Sequence, residues 1–323
     1  MICPSQSTGT LSATGNQLEH GRFGLVTPKH PGEDREKQSA ALGSLLAAVA
    51  LTTFKIIVGV ATGSLGILAE AAHSGLDLVA AALTFVAVRI SGRPADSGHL
   101  YGHGKVENLS ALAETLLLLG TCAWIIREAV HRLTTHRVEI EVTFWSFAVM
   151  ATSIAIDVSR SRVLARTAKK YNSQALEADA LHFETDVWSS AVVVLGLACV
   201  TLGDRIPSLV WLRQADAVAA LGVSALVIWV SWRLGRRTVD ALLDSAPAGM
   251  EERILDAVSS VPGVRNCHNI RVRYSGPVLF IDLHVLVDGR QSLFEAHALT
   301  ETIEGVIQEI VPQADITVHP EPY

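Results

Sequence analysis

Apolar runs long enough to cross a bilayer recur along most of the chain, at about residues 40–61, 65–90, 107–130, 142–160, 176–202 and 214–234. The fourth has a short apolar core, VTFWSFAVMATSIAIDV, and the fifth opens on polar residues before VWSSAVVVLGLACV. Both fit the series by spacing, and short connections predict an up-and-down helical bundle. After about residue 240 the pattern changes. MEERILDAVSSV (250–261) has helical spacing, with Ile254, Leu255 and Val258 on one side. RNCHNIRVRY and PVLFIDLHVLVD then read as strands around a Ser-Gly-Pro turn, with Ile281, Leu283, Val285 and Val287 alternating with Asp282 and His284. Residues 292–311 return to helix, and ADITVH reads as a last strand. The predicted fold class is a membrane all-α six-helix bundle followed by a small α+β domain of α-β-β-α-β order. The expected boundaries are a flexible tail over 1–38, the transmembrane bundle over 39–238 and the terminal domain over 239–323.

Composition agrees with a membrane protein. Of 323 residues, 49% are hydrophobic and 18% charged, against about 25% charged in soluble domains, and the mean hydropathy is +0.34. The net charge of −6, with no long basic block, argues against a nucleic-acid partner. The four cysteines include no CxxC, so neither a disulfide framework nor a thiolate zinc site is expected. The first residues lack the layout of a cleaved signal peptide. Lys and Arg set the expected orientation. Arg89, Arg93 and Lys105 fall between the second and third runs, and Arg160, Arg162, Arg166, Lys169 and Lys170 between the fourth and fifth. Arg233, Arg236 and Arg237 close the sixth. The opposite connections hold fewer (Arg127, Arg132, Arg137, Arg205, Arg213), which places both termini in the cytoplasm.

Against this apolar background, LAEAAHSGLDLVAA carries His73 and Asp77 one helical turn apart. An ionised group at membrane depth costs roughly 2.5–3.5 kcal/mol on insertion scales, so something must offset it. The pattern recurs in ADALHFETDVWSS as His182 and Asp186. Facing each other, the two pairs form a closed N/O set of four, suited to tetrahedral zinc, and two carboxylates balance a divalent charge. The alternative is that each pair makes interhelical hydrogen bonds, but packing alone has no need of the same spacing twice. Glu70, Glu114 and Asp157 are further acidic residues at membrane depth without an assigned role. The loop PADSGHLYGHGKVE offers Asp96, His99 and His103, three mixed ligands for an exposed metal site, or else a solvated polar loop. The terminal domain holds His268, His284, His297, His319 and Glu321, which spacing alone does not distinguish from surface residues, and Cys267 reads as a small buried residue.

These motifs together, GSLGILAEAAHSGLD, YGHGKVE and LEADALHFETD, with VPGVRNCHNIRVRYSGP in the terminal domain, resemble the cation diffusion facilitator family of divalent-metal exporters, and its bacterial zinc and iron exporters in particular. The resemblance spans residues 38–321. It implies a homodimer in the lipid bilayer of a bacterial inner membrane, with a metallochaperone-like cytoplasmic domain. It also implies Zn²⁺ efflux in exchange for protons by alternating access, and no enzymatic activity. The transport site would match His73, Asp77, His182 and Asp186, and the loop site Asp96, His99 and His103. A cytoplasmic binuclear site would match His268, His284, His297 and His319, with Glu321 where those relatives have Asp. Lys105 and Asp244 match a charge interlock near the dimer contact. Some bacterial relatives carry Asp where this chain has His73, and two His with two Asp resemble the zinc-selective members. Co²⁺, Cd²⁺ or Fe²⁺ export and a non-transporting metal sensor or scaffold stand as alternatives. A membrane metallohydrolase would need an open zinc position and a base such as Glu70, which four protein ligands argue against.

Overall fold

The computed structural model describes residues 31–135, 144–205 and 215–323. Six long helices come first: α1 (Pro31–Thr62), α2 (Leu65–Ser91), α3 (Lys105–Thr135), α4 (Phe144–Tyr171), α5 (Gln174–Arg205) and α6 (Ala215–Leu242). Among the described residues, three helices are long and apolar enough to cross a membrane by length and composition, over Gly32–Thr62, Glu70–Ser91 and Lys105–His131. α1 packs on α2 and α4, α3 on α6, and α5 on α4, α6 and α3, while α2 also meets α5. Sharp two-residue connections enforce the α1–α2 and α4–α5 neighbours. Ser64 caps α2, its hydroxyl accepting from the Ile67 amide at 3.4 Å. Asn172 turns the chain between α4 and α5 in the left-handed region (φ 49°), a conformation that asparagine tolerates, and Ser173 caps α5 by accepting from Leu176 N.

The helices outrun the apolar segments that announced them. α4 continues to Tyr171, so Arg160, Arg162, Arg166, Lys169 and Lys170 lie on the helix rather than in a connecting loop. α1 begins at Pro31, so residues 31–38 are helical and not tail. Apolarity marks where a helix enters lipid; hydrogen bonding and side-chain partners decide where it ends. In α1 that partner is explicit: Lys37, 2% exposed, donates to Glu107 Oε1 of α3 at 2.9 Å. Residues 1–30 of the expected tail, with Arg137 and Arg213, lie outside the described residues.

The terminal domain comprises α7 (Met250–Ser259), β1 (Asn266–Ser275), β2 (Val278–Val287), α8 (Leu293–Ile310) and β3 (Ala314–Pro322). The sheet order is β1-β2-β3, with β1 and β2 antiparallel and β2 and β3 parallel. Ile281, Leu283, Val285 and Val287 are buried, and pack with Ile254, Val258, Ile303 and Ile307 of the helices. Asp282 and His284 point to the other face. Cys267 is buried and free.

The two parts meet at the β1–β2 turn. Gly276 sits in the left-handed region (φ +60°), and its amide donates to Asn108 Oδ1 of α3 at 3.0 Å. Gly104, just before α3, lies so close that a Cβ there would stand 2.2 Å from Ser275 O. Neither glycine has room for a side chain.

Candidate metal centre

α2 and α5 each present one His-Asp pair, and their contact brings all four side chains together. His182 Nε2 lies 3.2 Å from Asp77 Oδ1 and 3.6 Å from Asp186 Oδ2. His73 Nε2 lies 3.9 Å from both Asp77 Oδ1 and Asp186 Oδ1. One donor atom each from His73, Asp77 and Asp186 falls within 4.8 Å of the others, compact enough for one cation. His182 is the deepest of the four side chains, at 6% exposure, and His73 the shallowest, at 28%. The His182 ring stands edge-on to Phe183, 5.3 Å between centroids.

A polar shell surrounds the four, most of which sequence reasoning missed. Lys55 of α1 donates to Glu70 Oε1 at 2.9 Å and to Ser74 Oγ at 2.7 Å, and Thr52 donates to the Ser74 carbonyl at 3.0 Å. Glu70, the one candidate for a general base, is thereby taken up by a lysine. The signal for Lys55 was there, a lone cation inside the apolar run LTTFKIIVG. On the other side Arg160 donates to Asp157 Oδ1 at 3.2 Å, and its guanidinium covers the Phe183 ring at 3.5 Å. Asp179, one turn before His182, accepts from Ser44. Glu114 accepts from Thr84 and from Ser110.

The loop between α2 and α3 gathers Asp96, His99 and His103. Asp96 Oδ1 lies 3.2 Å from His99 Nδ1, and Asp96 Oδ2 lies 3.3 Å from His103 Nε2. The two imidazole centroids are 4.3 Å apart. The amides of Gly98 and His99 donate to Asp96 Oδ1 and hold its carboxyl below the usual carboxylate range, ready as an anionic ligand. His103 Nδ1 is buried and has no hydrogen-bond partner among the described residues. One ligand atom from each of the three falls within 4.8 Å of the others.

In the terminal domain the register aligns three histidines across the sheet, His268 opposite His284 and His284 beside His319. Glu321 reaches back to all of them. Its Oε1 lies 2.8 Å from His284 Nδ1 and 3.9 Å from His319 Nε2, and its Oε2 lies 3.3 Å from His268 Nε2. The hydrogen bond to His284 pulls the Glu321 carboxyl below its ordinary value. Asn269 Nδ2 stands 3.2 Å from His284 Nε2. His297 is not brought into this group: it sits on the exposed face of α8, 3.6 Å from Glu301 Oε1.

Lys105, at the start of α3, donates to Asp244 Oδ1 beyond the end of α6 at 2.8 Å, and Arg273 of β1 lies 3.8 Å from the other oxygen. The two charges matched by sequence to an interlock are therefore adjacent within one chain.

Comparison with known proteins addresses most of the chain. A family model described as the cation efflux transmembrane domain matches residues 41–243, and one described as the cytoplasmic domain of cation efflux proteins matches residues 246–323. The cation-efflux pump FieF of Serratia proteamaculans is 32% identical over 297 residues, covering 90% of this chain and 95% of the relative. The cation-efflux pump FieF of Yersinia enterocolitica is 34% identical over 295 residues, with the same shares covered. Among solved structures, a MamM-CTD fragment matches 23% of this chain and 95% of its own length, with 27% identity and a TM-score of 0.22. Matched over residues 41–243 and 246–323 by the two family models, and over 90% of its length by these relatives, the chain belongs to the cation diffusion facilitator family of membrane-embedded cation-efflux proteins.

Proposed function

We propose that this protein exports Zn²⁺ from the bacterial cytoplasm across the inner membrane in exchange for protons. The carrying observation is the meeting of His73, Asp77, His182 and Asp186 between α2 and α5. Two imidazoles and two carboxylates suit a tetrahedral, borderline-soft cation, and move preference away from harder Mn²⁺. The two carboxylates offset the charge of a divalent ion in a medium that tolerates no unpaired charge. FieF relatives named as cation-efflux pumps support export; Co²⁺, Cd²⁺ and Fe²⁺ are the competing cargoes of this reading.

All six long helices span the bilayer in this reading. At 27–32 residues each and about 1.5 Å per residue, every one exceeds the ~30 Å hydrocarbon core. The end bearing the terminal domain faces the cytoplasm, because Arg89, Arg93, Lys169, Lys170, Arg236 and Arg237 collect at it. Two protomers pair, in keeping with the matched cytoplasmic domain. No bond of an organic substrate is broken, so no enzymatic step is assigned.

Ligands bind metal only when deprotonated, so metal and protons compete for the same atoms. Facing the cytoplasm, the four residues take up Zn²⁺ and release protons. After the bundle rocks outward, protons entering from the far side displace the metal. The loop group and the His268, His284, His319 and Glu321 group bind cytoplasmic metal and tighten the dimer when metal is abundant, and His297 stands apart from them on α8.

The test is zinc uptake into proteoliposomes of the full-length protein, loaded with a zinc-sensitive dye, with and without a proton gradient. Uptake accelerated by the gradient is expected. Saturable zinc binding without flux would overturn this reading in favour of a membrane metal sensor or scaffold.

A further inference from the structure

A cavity of about 450 Å³ lies between α1 and α4. Its polar lining is Glu36, Ser39, Ser44, Ser159, Arg160 and Thr167. Glu36 marks its outer end, tied to Lys170 at 2.7 Å and to Tyr171 at 2.6 Å. That end lies beside the terminal domain, since Gln313 donates to Glu33 of α1 at 2.8 Å. Further in stand Ser44 and Arg160, both buried, with Ala47 and Ile156 lining the cavity beyond them.

Behind Ser44 stands Asp179. It is fully buried, accepts from Ser44 at 3.2 Å through Oδ2, and its Oδ1 has no hydrogen-bond partner among the described residues. The nearest cation is committed elsewhere: Arg160 donates to Asp157 and, through Nε and Nη2, to Ser44 at 3.3 and 3.1 Å. Arg160 of α4, His182 of its own helix, Asp77 of α2 and Glu114 of α3 are the charged and titratable groups that Asp179 senses. A carboxyl so placed, with one neutral donor and a free oxygen, is built to change charge rather than to hold a structure together. It lies one turn from His182 on α5, at the step between the four-residue site and the cavity. Glu114 also has an unpartnered oxygen, but its bonds go to Thr84 and Ser110, which do not line the cavity.

We propose that Asp179 is a proton-binding residue that passes protons between the four-residue site and the α1–α4 cavity through the Ser44 hydroxyl. A proton shed when metal binds is taken by the Asp179 carboxylate, which becomes the neutral acid. For the acid to pass it on, the Ser44 hydroxyl turns away from Asp179 and gives up the Arg160 N–H donors on its oxygen; that oxygen then accepts the Asp179 proton while its own hydrogen goes to water in the cavity, and the carboxylate is restored. Metal and proton then leave or enter by different routes from one site. This rests on the antiport reading above and adds to it a residue outside the ligand set.

The experiment uses full-length protein in proteoliposomes and measures two quantities on each variant: zinc binding at alkaline pH, and the acceleration of zinc flux by a proton gradient. Asp179→Asn keeps the size and the Ser44 bond but cannot exchange the proton. It is expected to bind zinc as the wild type does while losing the gradient's effect on flux by about tenfold or more. Ser44→Ala leaves the carboxyl in place and is expected to lose part of that effect. Gradient-driven flux at the wild-type level in either variant overturns the proposal, and so does loss of zinc binding in Asp179→Asn, which would make its role structural. A wild-type flux that ignores the gradient would instead overturn the antiport reading itself.

Discussion

Among single residues, His182 carries the most weight. It is the deepest of the four candidate ligands and touches both carboxylates. Its replacement, His182→Ala, should weaken zinc binding by more than the 10–100-fold, roughly, that second-sphere changes cost, read by equilibrium binding on the purified protein. His73 is the more permissive position, at the exposed edge of the group. His73→Asp substitutes a hard oxygen for an imidazole, so Mn²⁺ flux should rise relative to Zn²⁺ flux in a competition assay. An unchanged ratio would argue that His73 does not contact the cargo. The i, i+4 spacing of both pairs was legible in the sequence, because one helix dictates it. Lys55 on Glu70, Ser44 on Asp179 and Lys37 on Glu107 were not, because partners separated by 15, 135 and 70 positions leave no period to read.

At the level of elements, hydropathy located the six long helices of the described residues and misplaced several of their ends. A run of apolar residues stops at the lipid boundary, whereas α4 continues through Arg162, Arg166 and Lys169 with its backbone bonds intact. The strands of the terminal domain were plainer, since alternation in β2 separates core from surface residue by residue. The same sheet explains a cluster that spacing alone left undistinguished. His268, His284 and His319 are far apart in sequence but become neighbours through register. His297 stays apart because α8 turns it outward.

The start of α8 offers a test of local stability. Ser292 accepts from the Glu295 amide at 3.2 Å and Glu295 returns the bond to the Ser292 amide at 2.8 Å, a reciprocal capping box. Ser292→Ala should cost about 1 kcal/mol, read as faster amide exchange in the first turn of α8. The Ser292 donors hold the Glu295 carboxyl below its ordinary value. Its contribution is therefore complete above the unfolded glutamate value of about 4.3 and fades as pH falls through the lower folded value. The penalty of Ser292→Ala should accordingly shrink in acid, and a penalty that grows there would contradict the capping role.

Across the whole molecule, the terminal domain is keyed to the bundle by backbone contact and by charge. Gly104 and Gly276 meet with no room for a Cβ. Gly104→Ala should cost about 1–3 kcal/mol at that contact, seen as raised exchange in the β1–β2 turn with the sheet core still protected. The Lys105–Asp244 pair is two-fifths exposed, at 39% and 41%, so its worth to stability is small, about 0.2–1 kcal/mol for such pairs. Its importance lies in where it sits, between α3 and the segment entering α7. Reversing either charge should slow zinc flux and reversing both should recover part of it. Recovery stays incomplete because Arg273 also faces Asp244 and would repel a lysine there. No recovery would count against an interlock.

Cargo, in this mechanism, binds between α2 and α5 and nowhere else on its way across. Gradient-driven zinc uptake into proteoliposomes, measured side by side for the wild type, Asp186→Ala and His99→Ala, addresses this directly. Uptake should be abolished in Asp186→Ala and retained in His99→Ala, whose loop site lies outside the bundle. Uptake that survives in Asp186→Ala at the wild-type rate would contradict a transport site at these four residues.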